Sequence, residues 1–207
     1  MNRLKYPKTY HFEWSPGVKN DDRIQKDLLF LTGQPIIITE KMDGECTTLY
    51  NDYIHARSID SNDHESRSWV KQLWGNIKHD IPENWRICGE NLYAKHSIPY
   101  TDLESYFMVF QIWDENNNSL PLDERLYWCD LLNLTHVPIL HHGLFDIDFI
   151  KNYKLDTDVI EGFVVSLVNS FNYNDFNKCV VKWVRSNHIQ SDEHWMKQKV
   201  VKNLLKK

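Results

Sequence analysis

The chain has 207 residues, of which 42% are hydrophobic and 26% are charged, a composition typical of a folded globular domain. Its formal net charge of −5 argues against a protein that coats nucleic acid without specificity. No apolar run approaches the roughly 18 residues of a membrane span, and the polar N-terminus does not resemble a signal peptide. The four cysteines are scattered, without a Cys-x-x-Cys pair. We therefore expect free thiols in a cytoplasmic protein.

The predicted elements are short strands with a few helices between them. In chain order they are a helix over 21–30, strands over 36–39, 47–50 and 53–58, a helix over 66–77, strands over 86–90 and 105–113, a helix over 122–132, strands over 159–166 and 180–184, and a lysine-rich amphipathic helix from Ser191. His141-His142 is expected in an exposed turn rather than at a metal site. Such a series predicts an α+β domain of antiparallel sheets with flanking helices. The chain contains no repeat or linker, so we expect one domain over 1–207.

A lysine follows the first long strand, at the start of a glycine-containing loop. The tetrad Lys41-Met42-Asp43-Gly44 alone is a weak signal, since a surface lysine before a turn explains it equally well. Further charged residues sit beside or within apolar strands: Glu90, Glu161 and Lys182. Such charges are costly unless they are paired or act on a ligand.

These residue types together suit nucleotidyl transfer through a lysine. An amine can attack an α-phosphate if desolvation or nearby cations lower its pKa, and Lys182, with or without Arg185, could supply positive charge. The carboxylate of Glu161 could hold a divalent metal. Glu90 could accept a hydrogen bond from a ribose hydroxyl, and an aromatic ring could stack on the base.

The segments EKMDGE, HARSID, GENLYAKHSIPY, YFMVFQIWD, IEGFVVS and VVKWVR resemble, in this order, the motifs of the covalent nucleotidyltransferase superfamily of DNA ligases, RNA ligases and mRNA capping enzymes. HARS and GENLYAKHSI are similar to its RNA ligase branch, found in phages and bacteria. The resemblance implies a nucleotidyltransferase (ATP-grasp-like) domain that binds ATP between its sheets, in a bacterial or phage-infected cell. Since 25 residues follow Lys182, we expect no oligonucleotide-binding (OB) domain and thus a minimal ligase.

The resemblance also implies roles for single residues. Lys41 would be the nucleophile that takes AMP from ATP, Lys182 would contact the α-phosphate, and Glu161 would engage Mg²⁺ or Mn²⁺. Phe107 is expected to stack on adenine, with Phe110 as the alternative, because only one face of a strand can meet the base. The expected ATP-binding set is Glu40, Lys41, Arg57, Glu90, Phe107 and Lys182.

The function implied is ATP-dependent RNA ligation in three steps: adenylylation of Lys41, transfer of AMP to a 5′-phosphate RNA end, and sealing by a 3′-hydroxyl. A kinase or phosphatase that prepares the ends is a candidate partner. The alternatives are a DNA-nick ligase, a capping-type enzyme, or a non-catalytic or partner-dependent nucleotide- or RNA-binding subunit. Two departures from the family pattern are Cys46, where relatives often have Asn, and the missing second lysine of Lys-x-Lys, for which Arg185 and Lys178 are the candidate substitutes.

Other polar segments have two interpretations each. His96 beside Lys95 could touch a substrate phosphate, although a structural histidine is the more common case. Residues 60–67 could contact RNA or form a solvated loop. Residues 14–23 could bind the RNA end or cap the helix predicted over 21–30.

Overall fold

The computed structural model describes residues 3–186 and 200–207. Its strands are β1 (Tyr10–Phe12), β2 (Ile24–Gln25), β3 (Pro35–Glu40), β4 (Glu45–Leu49), β5 (Ile54–Ala56), β6 (Arg86–Asn91), β7 (Phe107–Trp113), β8 (Thr135–His136), β9 (Ile139–Leu144), β10 (Gly162–Leu167) and β11 (Val180–Val184). Its α-helices are α1 (Ser68–Ile77), α2 (Leu122–Leu131), α3 (Ile147–Lys151) and α4 (Phe176–Cys179). Single 3₁₀ turns span Glu65–Arg67, Lys78–Asp80 and Tyr173–Asp175.

The strands form two sheets. The larger has the order β2-β1-β11-β10-β3-β9, and the smaller has the order β5-β4-β6-β7-β8. Most pairs are antiparallel, as predicted, but β1–β2, β1–β11 and β7–β8 are parallel. The α+β class is confirmed.

Alternating side chains give each sheet two faces. In the larger sheet Ile38, Val165 and Val181 stand opposite one another and are fully buried. In the smaller sheet, the outer face packs Leu49 and Ile87, with their neighbours, against apolar residues of α1 and α2. The two remaining faces enclose the cavity described below.

The structure confirms most predicted strands and contradicts several local predictions. Residues 21–30 are not a helix, because β2 pairs with β1 as the edge strand of the larger sheet. Asp22, just before β2, accepts a hydrogen bond from the Lys19 amide at 3.1 Å. His141-His142 is not a turn but lies in β9, paired with β3. β9 is an edge strand of the larger sheet, and its residues are exposed or half-buried.

The predicted C-terminal helix begins at Ser191, and its part over residues 191–199 lies outside the described ranges. The part that is described, 200–207, is extended and not helical, so the prediction is wrong there. Ala94 and Leu103 bridge to Lys202 and Leu205, respectively. Within 3–186 and 200–207, no helix has the length and apolar character needed to cross a membrane.

Candidate active site

A cavity of about 1120 Å³ opens between the two sheets. Thr39, Val164 and Lys182 line it from the larger sheet. Cys46, Glu90 and Phe110 line it from the smaller sheet. Its volume slightly exceeds the usual range for small-molecule sites, roughly 300–1,000 Å³. The cavity therefore has room for a nucleotide and part of a second substrate.

Lys41 is the first residue after β3 and faces this cavity. Its Nζ contacts both carboxylate oxygens of Glu161, at 2.7 and 2.8 Å. The Glu161 side chain is fully buried, whereas that of Lys41 is 21% exposed. Lys41 thus lies between a buried carboxylate and the cavity.

The carboxylates around Lys41 control its protonation. Burial alone would lower the pKa of the Lys41 ammonium, but Glu161, Glu90 and Asp43 together raise it above its usual value. Attack on a phosphate requires the neutral Lys41 amine, which a lowered pKa would favour. Without a ligand, the site therefore holds Lys41 as a protonated, non-nucleophilic ammonium.

The meeting of β3 with β10 brings Lys41 and Glu161 together. The Lys41 amide donates a hydrogen bond to the Gly162 carbonyl at 2.9 Å, so the ladder places Lys41 beside the residue preceding Gly162. A Cβ at Gly162 would lie 2.1 Å from the Trp183 carbonyl oxygen on β11. Only glycine permits this approach, which explains the Glu161-Gly162 pair.

The turn after Lys41 is fixed by Asp43. Its Oδ2 accepts hydrogen bonds from the Ser97 amide at 2.8 Å, the Ser97 hydroxyl at 2.6 Å and the Ile98 amide at 2.8 Å. The Asp43 amide donates to the Tyr100 hydroxyl at 2.9 Å. Asp43 was not among the predicted site residues. It anchors the Lys41 turn to the segment after β6.

The segment that holds Asp43 is itself held by the C-terminus. Asn203 is buried, and its amide donates to the Leu92 carbonyl at 2.8 Å while its Oδ1 accepts from the Tyr100 amide at 3.0 Å. The Lys95 amide donates to the Val201 carbonyl at 2.7 Å. The sequence offered no signal for Asn203, because its partners lie about a hundred residues away.

Glu90 ends near the Lys41 turn, as expected. It accepts a hydrogen bond from the Gly44 amide at 3.2 Å. Burial raises the pKa of the Glu90 carboxyl to about 8; Lys41 opposes this shift and Glu161 adds to it. The ligand-free fold therefore keeps Glu90 protonated at pH 7, able to donate or accept a hydrogen bond.

This raised pKa predicts a pH-dependent stability. An unfolded chain releases the Glu90 proton near pH 4.3, so between about pH 4.3 and 8 the folded state binds more protons and loses stability as pH rises. We expect Glu90→Gln to lose less stability than the wild-type protein as pH rises. Each kcal/mol of difference in the free energy of unfolding corresponds to about 2–4 °C in Tm. Thermal unfolding of both proteins at pH 5.5 and 8 measures it. Equal Tm changes in the two proteins would contradict the assignment.

Lys182 reaches the cavity from β11 and is almost buried. Burial lowers its pKa to about 8, and the nearby Lys41 charge adds to this effect, so Lys182 is mostly cationic at pH 7. The proposed substitutes for a second lysine lie elsewhere. Arg185 hydrogen-bonds the Thr157 carbonyl, and Lys178 pairs with Asp175 at 2.7 Å on the surface. Neither lines the cavity.

The other predicted residues lie at the cavity wall. Arg57 follows β5 and is exposed, and Glu40 ends β3, where burial and then Asp102 raise its pKa. Cys46 stands opposite Glu90, and burial followed by the Glu90 charge raises the pKa of its thiol well above the usual value. Cys46 is therefore a neutral thiol that offers little to a hard metal ion.

Phe107 does not face the cavity, so its predicted contact with a base is wrong. It is fully buried on the outer face of the smaller sheet, among apolar side chains that include Val109 and Ile112. Phe110 lines the cavity and contacts Tyr6, with ring centroids 4.8 Å apart. Of the two predicted positions, Phe110 is the one that lines the cavity.

The remaining polar segments also line the cavity. Lys8, Asp21 and Asp22 are among the lining residues, and because residues 21–30 form no helix, the interpretation of these aspartates as helix caps is wrong. Residues 60–64 line the cavity as well, together with Lys95 and His96. Among the described residues, no group of three or more His, Cys, Asp or Glu side chains is placed to hold a metal by itself.

Comparisons with known proteins agree with this geometry. The model of the RNA ligase family matches residues 34–184, well over half of the chain. None of the curated proteins matches the chain.

Solved ligase structures share the fold. A putative ATP-dependent DNA ligase from Aquifex aeolicus superposes with a TM-score of 0.60 at 19% identity, covering 89% of this chain and 50% of that one. An archaeal ATP-dependent RNA ligase gives 0.57 at 16% identity, covering 88% and 48%. A mutant Naegleria gruberi RNA ligase with ATP and Mn gives 0.53 at 18% identity, covering 88% and 60%. The chain thus spans about half the length of these structures, and the likeness is one of fold.

Proposed function

The chain belongs to the RNA ligase family, and we propose that it joins 5′-phosphate and 3′-hydroxyl RNA ends at the expense of ATP, through an AMP bound to Lys41. The observation that carries the proposal is the pair of Lys41 with the buried Glu161 at the wall of a nucleotide-sized cavity. An ion pair with a purely structural role does not require a cavity beside it. A nucleophile does, because its substrate must reach it.

The first step follows from the positions of four residues. ATP would bind with its base near Phe110, its ribose near Glu90 and its α-phosphate between Lys41 and Lys182. The deprotonated Lys41 amine attacks the α-phosphorus, the P–N bond forms, and the bond to pyrophosphate breaks. The Lys182 ammonium offsets the negative charge that develops on the α-phosphate oxygens.

The donor set fits a divalent cation such as Mg²⁺ or Mn²⁺. Such ions are commonly held by one or two carboxylates together with substrate phosphates, and Glu161 supplies a carboxylate beside the Lys41 amine. When bound, the cation would supply positive charge that offsets Glu161 and the phosphates. The Lys41 amine could then lose its proton, because the negative field that raises its pKa is compensated.

Both sheets and the C-terminal residues contribute to the cavity, and so we take residues 1–207 to act as one adenylyltransferase domain. The part of the cavity that the nucleotide does not fill would receive the RNA, and Lys8, Lys95 and His96 are among its lining residues. A kinase or phosphatase that produces the required ends would act as a partner. The four free thiols support a place in a reducing bacterial or phage-infected cytoplasm.

A joining assay tests the proposal. The purified protein is incubated with 5′-labelled RNA that carries a 3′-hydroxyl, with Mg²⁺ or Mn²⁺, with and without ATP. We expect phosphatase-resistant label only when ATP is present. Parallel arms with nicked RNA duplex and with nicked DNA define the substrate. ATP-dependent joining of DNA alone would favour the DNA ligase alternative, and no joining of either would overturn the proposal.

The position of Phe110 gives a second prediction. We expect Phe110→Leu to raise the KM for ATP by about 5- to 100-fold, because loss of base stacking costs about 1–3 kcal/mol. Phe107→Leu is the matched control, since Phe107 lies in the core: it should lower Tm and leave the KM unchanged. Initial rates of protein adenylylation at varied ATP, with thermal unfolding of both variants, measure this. A raised KM for ATP in Phe107→Leu with an unchanged KM in Phe110→Leu would indicate that Phe107 contacts the base instead.

A further inference from the structure

A bulge in β7 places two neighbouring side chains at the cavity. Val109 pairs with Gly89 and Gln111 pairs with Cys88, so Phe110 is an extra residue between them. A bulge redirects the side chain beside the extra residue. As a result both Phe110 and Gln111 line the cavity, although neighbouring residues of a regular strand face opposite ways.

Gln111 is held by a buried arginine. Gln111 is 2% exposed and Arg125, which reaches over from α2, is 1% exposed. The Arg125 Nη1 donates a hydrogen bond to the Gln111 Oε1 at 3.1 Å and another to the Phe110 carbonyl at 2.6 Å. One guanidinium therefore fixes both residues of the bulge.

The Arg125 contact determines which end of the amide meets a ligand. A guanidinium has only donors, so the Gln111 oxygen must face it, and a rotated amide would set its NH₂ against the N–H groups of Arg125. The Nε2 group remains as a donor, and it makes no hydrogen bond with the described residues. Because Gln111 lines the cavity, this donor is available to an acceptor on a ligand bound there.

We propose that Gln111 selects the nucleotide base, donating a hydrogen bond from Nε2 to the N1 atom of adenine while Arg125 holds its amide. Adenine carries an acceptor at N1, whereas guanine and hypoxanthine carry an N1–H donor. A donor fixed at this position therefore pairs with ATP and opposes GTP and ITP. The inference rests on the proposed function, and within it names the residue that specifies ATP.

The same geometry provides an isosteric test. In Gln111→Glu, one carboxylate oxygen keeps the contact with Arg125, and the other replaces the NH₂ donor with an acceptor. Adenine N1 then faces another acceptor and loses its hydrogen bond, whereas the N1–H of ITP can donate a hydrogen bond to the carboxylate. We expect the ratio of kcat/KM for ATP to that for ITP to fall by about tenfold or more, as expected for about 1–3 kcal/mol of base discrimination. Gln111→Met, which has neither group, should lower the ATP preference without improving the use of ITP.

The readout is protein adenylylation or inosinylation, measured as an initial rate with each nucleotide. Because the ratio is taken within one variant, a loss of folded protein cancels. An unchanged ratio in Gln111→Glu, with the wild-type protein active, would overturn the inference and leave the proposed function intact. A wild-type protein that takes no nucleotide from ATP, ITP or GTP would overturn the proposed function itself.

Discussion

Replacing Lys41 with alanine is expected to lower ATP-dependent RNA joining by about 10³-fold or more, as removal of other covalent nucleophiles does. The same variant should still seal RNA that already carries a 5′-adenylate. The reason is that the last step needs attack by a 3′-hydroxyl and no longer needs the Lys41 amine as nucleophile. The measurement is a pair of joining assays with the same RNA, one starting from the 5′-phosphate and one from the 5′-adenylate.

Lys41→Arg separates chemistry from charge. Arginine keeps a cation against the buried Glu161 but remains protonated at any ordinary pH. It should therefore preserve the fold and fail at ATP-dependent joining as completely as alanine. A Lys41→Arg protein that joins 5′-phosphate RNA within tenfold of the wild-type rate would show that Lys41 supplies charge and is not the nucleophile.

Glu161→Gln is expected to have two separate effects, one on the rate of self-adenylylation and one on its pH dependence. The rate of self-adenylylation should fall by about 10²-fold, because the carboxylate that would help to hold the divalent cation is lost. The pH at which the residual reaction reaches half its maximum should move downward. Glu161 is the first of the carboxylates that raise the pKa of Lys41, and its neutral replacement lets the amine deprotonate at lower pH.

A pH–rate profile of protein adenylylation distinguishes these effects. Glu104→Gln is a suitable control, because this exposed carboxylate pairs with Lys206 away from the cavity and should leave rate and midpoint unchanged. A Glu161→Gln profile with the wild-type midpoint would mean that Glu161 does not set the protonation of Lys41. An undiminished adenylylation rate in Glu161→Gln would show that Glu161 does not help to hold the divalent cation.

Local sequence was sufficient for the strands that carry the site. The run after Pro35 and the valines of residues 180–184 are apolar and β-branched, and both form strands at the predicted places. Their charged neighbours Lys41, Glu161 and Lys182 do meet around one cavity wall, as the family resemblance implied.

The errors arose where distant partners decide the local structure. Alternation in β7 puts Phe107 and Phe110 on opposite faces, but which face meets the cavity depends on the packing of the sheet, and the bulge depends on register with β6. Residues 21–30 have a helical pattern, yet residues 24–25 within them pair with β1 as a short strand. Gln111 gave the same signal as Lys182, a polar residue inside an apolar strand, and could have been found by it.

The most direct test of the central claim is to locate AMP on the protein by mass spectrometry. The wild-type protein is incubated with ATP and Mg²⁺ or Mn²⁺, its intact mass is measured, and its peptides are mapped. We predict one adenylyl group, on the peptide that contains Lys41, and its loss when RNA with a 5′-phosphate is added. ATP-dependent RNA joining without AMP on Lys41, or with AMP on another lysine such as Lys182, would contradict the account.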